Sequence, residues 1–258
     1  MKFEDIIYEK RNGIARVTIN RPEKHNAFRT ETLMEMAEAF EDVGNDRTIG
    51  VAVLGGAGNR AFCVGGDTSE AEGAGYRPEL IIYVRKVHDL IRKAPVPVIA
   101  AVNGYAIGGG HVFQVLCDLT IASENAIFGQ AGPKVGSFDA GYGTAYLARV
   151  VGEKKAREIW FLCEQYNAKE AKEMGLVNKV VPADRLDEEV DAWCKKILSL
   201  SPTALRFLKA SLNRESDHIA GSEKMAFEAM ALYYQTEEAA EGKKAYLEKR
   251  KPDFSKYR

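Results

Sequence analysis

Two runs early in the chain, Ile14-Ala-Arg-Val-Thr-Ile-Asn20 and Ile49-Gly-Val-Ala-Val-Leu54, are alternating or almost continuously apolar. They read as a half-buried and a fully buried strand. Between them, Leu33, Met36, Ala37 and Phe40 recur at the spacing of a helix that buries one face. Thr30 and the charged residue after it suit the start of that helix, and Gly44-Asn45-Asp46 stops it. The pattern then repeats. A helix is predicted from Leu80 to Ala94, Pro95 and Pro97 punctuate, and Pro97-Val-Ile-Ala-Ala-Val102 reads as a buried strand. Further strands are predicted at Leu119–Ile121 and Ala126–Phe128, with helices at Gly109–Leu116 and Gly143–Val151. Strands alternating with helices predict an α/β fold with a largely parallel sheet. Beyond about Val180 the periodicity is helical throughout, at Asp187–Ser199, Thr203–Arg214 and Ser222–Tyr234. The expected division is an α/β core over residues 1–195 and a helical C-terminal region over 196–258, whose apolar faces pack on the core or on a partner subunit.

Composition narrows the function more than the fold. Of 258 residues 46% are apolar and 28% charged, as in an ordinary globular enzyme. Lys and Arg total 36 against 37 Asp and Glu, so the basic excess that nucleic-acid binding requires is missing. Cys63, Cys117, Cys163 and Cys194 are widely separated with no CxxC pair, which argues against a zinc cage or redox motif. Polar residues occur from the start of the opening MKFEDIIYEKRNG, and eighteen apolar residues never run together. A cytoplasmic protein without membrane attachment is expected.

Three glycine-rich segments follow apolar runs: Gly55-Gly-Ala-Gly58, Gly65-Gly-Asp67 and Gly104-Tyr-Ala-Ile-Gly-Gly-Gly110. Neither a strand-to-helix GxGxxG nor a GxxxxGK[ST] phosphate loop is among them. Glycine at a strand end lets backbone N–H groups face a ligand, and two such donors aimed at one carbonyl oxygen form an oxyanion hole. With Asn20-Arg-Pro-Glu-Lys-His-Asn-Ala-Phe28, Ala61-Phe-Cys-Val-Gly-Gly-Asp67, Pro97–Gly110, Cys117-Asp118 and Phe128-Gly-Gln130, the chain resembles the enoyl-CoA hydratase or crotonase superfamily. The resemblance implies a spiral of ββα units, a C-terminal helical trimerisation region, and a trimer or dimer of trimers. It also implies an acyl-CoA thioester whose carbonyl sits between the N–H groups of Gly66 and Gly109. For CoA it points to Lys24, His25 and Ala27, to Ala61 and Phe62, and to Lys249 reaching a CoA phosphate from another subunit.

The hydratases of this superfamily carry two glutamates, where this chain has Val112 and Gly132. Without them, addition of water to a conjugated double bond lacks its acid and base. The stretches Gln130–Gly143 and Ala156–Cys163 instead resemble 2-ketocyclohexanecarboxyl-CoA hydrolase and 1,4-dihydroxy-2-naphthoyl-CoA synthase. That likeness places the catalytic Asp at Asp139 with Ser137 beside it, a Tyr from a neighbouring subunit at Tyr234, and a mobile-loop Tyr at Tyr76. Synthases carry positive charge after the Gly-Gly-Asp turn, whereas this chain has Glu70 and Glu72. Synthases that recruit bicarbonate show Gln-Thr-Gly where this chain has Gln130-Ala131-Gly132, so Gln130, Gly132 and Trp160 are the residues left for a bicarbonate. His111 reads as packing or helix-start polarity and not as a base or metal ligand. The expected activity is hydrolytic ring opening of an alicyclic 2-oxo-carboxyl-CoA thioester, with no metal and no cofactor beyond the CoA of the substrate. The alternatives are the ring-closing synthase and a non-catalytic RNA-binding or scaffold member of the family.

Overall fold

The structure, a computed structural model, describes residues 3–72 and 75–258, and at Ala71 and Glu72 it describes the backbone alone. In chain order the strands are β1 Ile6–Arg11, β2 Ile14–Ile19, β3 Val51–Gly56, β4 Ala61–Cys63, β5 Ala71–Glu72, β6 Gly75–Tyr76, β7 Val98–Val102, β8 Tyr105–Ile107, β9 Leu119–Ser123, β10 Ile127–Gly129, β11 Gln165–Asn167 and β12 Lys179–Val181. The helices are α1 Thr30–Asn45, α2 Pro78–Lys93, α3 Gly109–Leu116, α4 Leu147–Val151, α5 Glu153–Leu162, α6 Ala168–Glu173, α7 Leu186–Leu198, α8 Pro202–Arg214, α9 Ile219–Tyr233 and α10 Glu237–Leu247.

The expected parallel sheet is two sheets. One has the order β1-β2-β3-β7-β9-β12, parallel except for β1 against β2. The other has the order β11-β10-β8-β4, parallel except for β11. Strands β3, β7 and β9 of the first sheet lead directly into β4, β8 and β10 of the second, and a helical segment follows each pair. Repeated ββα units of this kind wind the chain through both sheets.

Side chains alternate across a strand, so each central strand serves two cores. Val51, Val53, Ile99 and Ile121 meet Leu186, Val190 and Cys194 of α7. Ala52, Leu54, Val98 and Ala100 turn the other way, into the main core with Leu33, Met36 and Phe40 of α1 and Val87 and Ile91 of α2. The expected boundary at 195 falls in the last turns of α7, a helix that belongs to the sheet it covers. Helix α9 also adds Ile219, Phe227 and Met230 to the main core, and α10 adds Ala239.

Two expectations at element level are corrected. Gly143–Val151 is not one helix: a π-helical turn over Tyr142–Tyr146 leads into α4. The Gly143 N–H is drawn to Asp139 and its carbonyl accepts from Trp160 Nε1 at 2.6 Å, so side chains take the place of regular helical partners. Strand β1 went unpredicted because, as an antiparallel edge strand, it leaves most of its residues exposed. Among the described residues no helix is long and apolar enough to cross a membrane.

Candidate active site

Between β4 and the loop that follows, Phe28 and Gly66 form an isolated parallel bridge. Phe28 N–H donates to the Gly65 carbonyl at 2.9 Å and Asp67 N–H to the Phe28 carbonyl at 2.7 Å, so the bridge makes no use of the Gly66 N–H. Gly65 takes φ +92°, and a Cβ on it would stand 3.0 Å from the Gly109 nitrogen. The two glycine loops therefore touch, which only residues without side chains permit. Gly109 opens α3, where an N–H has no acceptor within its own helix. Two backbone donors thus meet at one place, and the positive end of the α3 dipole adds to them.

They open onto a cavity of about 730 Å³ whose floor comes from Val135–Asp139, α2 and α9. Asp139 Oδ1 accepts from the N–H groups of Gly141 at 2.7 Å and Gly143 at 3.1 Å, which leaves Oδ2 for the cavity. Burial pushes the Asp139 carboxyl above its ordinary range, while the charge of His88 and those two N–H groups pull it back. Ser137 Oγ and Tyr234 Oη lie 2.7 Å apart. The rings of Tyr234 and Tyr76 meet edge to face at 6.1 Å, and Tyr76 Oη donates to the Gly66 carbonyl at 3.1 Å. Burial raises the Tyr234 phenol to about 12, so it is a neutral donor across the physiological range.

Gly66, Gly109, Tyr76, Ser137, Asp139 and Tyr234, expected in one site, all line this cavity. The corrections lie around them. Tyr234 lines the cavity of its own chain, where α9 packs on the π-helical turn and the main core. Of the CoA residues, Lys24, His25 and Ala27 line the mouth, in a turn that Asn26 ties to the Ala57 and Ala61 carbonyls. Ala61 and Phe62 are buried in β4 and do not line it, while Lys249, expected to act from another subunit, is exposed. Sequence reasoning missed Lys243 and Tyr246 of α10, which line the cavity; burial lowers the pKa of Lys243.

Glu70 does not face the acyl site. Its Oε2 accepts from Thr30 Oγ1 at 3.0 Å at the start of α1, and the side chain of Glu72 lies outside the described residues. The charge argument against an acidic substrate therefore has no support from Glu70. The three bicarbonate residues line the cavity, but Trp160 Nε1–H donates to the Gly143 carbonyl and Gln130 Nε2 is engaged by the Gly108 carbonyl and His111 Nδ1. Among the described residues no cluster of His, Cys, Asp and Glu could hold a metal ion.

A family model described as Enoyl-CoA hydratase/isomerase matches residues 9–257. The chain belongs to the enoyl-CoA hydratase/isomerase family. Solved structures agree. An enoyl-CoA hydratase from Mycobacterium avium subsp. paratuberculosis K-10 is 30% identical with a TM-score of 0.89, over 98% of this chain and 100% of that one. An enoyl-CoA hydratase/isomerase from Xanthobacter autotrophicus Py2 is 33% identical over 96% and 93%, TM-score 0.84. An enoyl-CoA hydratase/carnithine racemase from Magnetospirillum magneticum is 35% identical over 98% and 96%, TM-score 0.79. An acyl-CoA enzyme of this family stabilises negative charge on a thioester oxygen, the task to which the paired Gly66 and Gly109 donors are suited. Within the family, the acids and bases around the thioester set the reaction. The described cavity carboxylates are Glu23, Asp67 and Asp139. Glu23 is exposed at the mouth, and Asp67 is bound to Arg21 at 2.8 Å and to Ser69.

Proposed function

We propose that the protein opens the ring of an alicyclic 2-oxo-carboxyl-CoA thioester with water, a reverse Claisen cleavage. The supporting observation is that Asp139 is the one described carboxylate left to act inside the cavity, with apolar Val112 and Gly132 where the hydratase pair would be. A single acid/base whose pKa is raised by burial suits activation of one water near neutral pH. Asp139 Oδ2 takes a proton from that water as its oxygen adds to the ring ketone, and Tyr234, set by Ser137, donates to the ketone-derived oxygen. Collapse restores the proton to Tyr234 and forms the carboxyl group. The C–C bond to the α-carbon breaks, and its electron pair moves onto the thioester oxygen held by the N–H groups of Gly66 and Gly109. The proton on Asp139 then passes to the α-carbon. The product is an open-chain acyl-CoA with a terminal carboxylate, heavier than the substrate by one water.

Incubation with 2-oxocyclohexanecarboxyl-CoA, followed by mass spectrometry, should show the gain of one water. Asp139→Asn should lower kcat by at least about two orders of magnitude while acyl-CoA still binds. Loss of water from succinylbenzoyl-CoA, or hydration of a simple enoyl-CoA with Asp139→Asn fully active, would replace this reading.

A further inference from the structure

Helix α2 buries Leu80, Val84, Val87 and Ile91, and α9 buries Ile219, Ala226, Phe227 and Met230. Each apolar stripe has a titratable residue set into it. His88 follows Val84 by four residues and precedes Ile91 by three, and Glu223 stands four residues from both Ile219 and Phe227. A charged group on a buried stripe is costly unless paired. These two pair with each other: His88 Nδ1 lies 2.6 Å from Glu223 Oε1, with the side chains 2% and 4% exposed. Phe113, Tyr142 and Phe227 surround the imidazole, their ring centroids 5.5, 6.2 and 6.2 Å away. On its remaining side His88 lines the cavity that Asp139 also lines, and Nε2 is buried without a hydrogen-bond partner. The carboxylate on Nδ1 fixes that nitrogen as a donor. The ring-opening scheme uses neither residue.

We propose that Glu223 and His88 are a charged unit of the site: Glu223 orients and protonates the imidazole, and the cationic His88 keeps Asp139 ionised and able to act as a base. His88 is thus a positioning residue. The inference rests on the reading of Asp139 as the acid/base. A cation beside a carboxylate favours its charged form, against the burial that favours the neutral one. The other ionisable groups around the pair are Asp89 and Arg92 on α2, Tyr142 on the π-helical turn, Asp217 before α9 and Tyr234 after it. Arg92 is occupied by Asn213, Ser216 and Asp217. Helix α3 meets the ring with apolar Phe113. Of these charges His88 is the one that acts appreciably on Asp139.

Two readouts test the unit. In His88→Gln and Glu223→Gln, the acid limb of the kcat profile on 2-oxocyclohexanecarboxyl-CoA should move up by about one pH unit or more, because Asp139 then holds its proton to higher pH. Turnover near neutrality falls roughly tenfold, with KM little changed. A merely structural pair would lower the active fraction without moving the limb. The second readout needs no turnover: nitrogen-15 spectra of the histidines in the full-length protein, the His88 signals being those absent from His88→Gln. Coupling is reciprocal, so Asp139→Asn should lower the titration midpoint of His88 by as much as the acid limb rises. A midpoint unmoved by Asp139→Asn overturns the proposal whether or not the His88 and Glu223 variants fold, and so does an unmoved limb in folded variants. A moved midpoint without ring-opening activity would retire the proposed reaction and leave the pair standing.

Discussion

His111 is fully buried two residues beyond the amide that opens α3, and burial lowers its pKa from the ordinary 6.5 to about 4. The folded protein therefore holds it neutral, with Nδ1 accepting from Gln130, while the unfolded chain takes up a proton as the pH falls through 6.5. Its stabilising neutral form is fully present above that pH and lost on acidification toward pH 4, a change of about 3 kcal/mol. His111→Gln should flatten this part of the pH dependence, measured as urea midpoints across the interval. Sequence reasoning placed His111 outside the chemistry, and the side chain does not line the cavity. Gly66 and Gly109 stood out as glycines in loops after apolar runs, whereas Asp139 and Ser137, which line the same cavity, were pointed to only by the family resemblance. Glu70 was misread because charge in a loop says nothing of direction, and its carboxylate turns to the start of α1. His88 and Glu223 had a legible signal, an ionisable residue on each apolar stripe, but neither helix reveals which other helix it meets.

Elements differ in how plainly they show in the sequence. Helices α1, α2 and α7 and strands β3 and β7 match the predicted segments to within a few residues, since each buries one face or both over a long enough run; α8 matches as closely on its periodicity, although Lys209 is its one buried residue. The three-residue strands β4 and β8 are too short to carry a period, β10 was predicted one residue early, and the gap between sheets that the three create is a matter of long-range pairing. Helix α3 depends on that gap. A Cβ on Gly110 would overlap the Cys63 carbonyl of β4, so the helix that supplies the Gly109 donor can approach β4 only through a glycine. Gly110→Ala should push α3 away and pull the donors apart. We expect kcat/KM to fall at least about tenfold and stability by roughly 1 to 3 kcal/mol, read from steady-state kinetics and thermal melts, although the residue touches no substrate.

At the scale of the whole molecule, α8 and α9 leave Phe207, Leu208, Leu212, Met225 and Leu232 more than half exposed. The family resemblance implies that partner subunits cover such faces, and Phe207→Asp with Leu212→Glu should shift the protein to a smaller species in sedimentation. Assembly is not expected to share active sites. Because Tyr234 and Asp139 line one chain's cavity, mixed oligomers of Asp139→Asn and Tyr234→Phe chains should stay inactive; recovered turnover would show that α9 crosses to a neighbour. The two-sheet α/β core was legible only as alternation, since nothing local says that paired strands separate into different sheets. One small contact between those parts reaches further than its size suggests. The Phe28–Gly66 bridge, braced by the Arg21–Asp67 ion pair, joins the turn at the cavity mouth to the loop that carries the Gly66 amide. On the proposed function, the CoA end and the reacting end of the substrate would be gripped by one piece, which would work as a ruler. That reading predicts poor turnover of a thioester on a shortened pantetheine arm, held at the mouth with its carbonyl short of the two amides, so that carrier length would be selected as well as the ring.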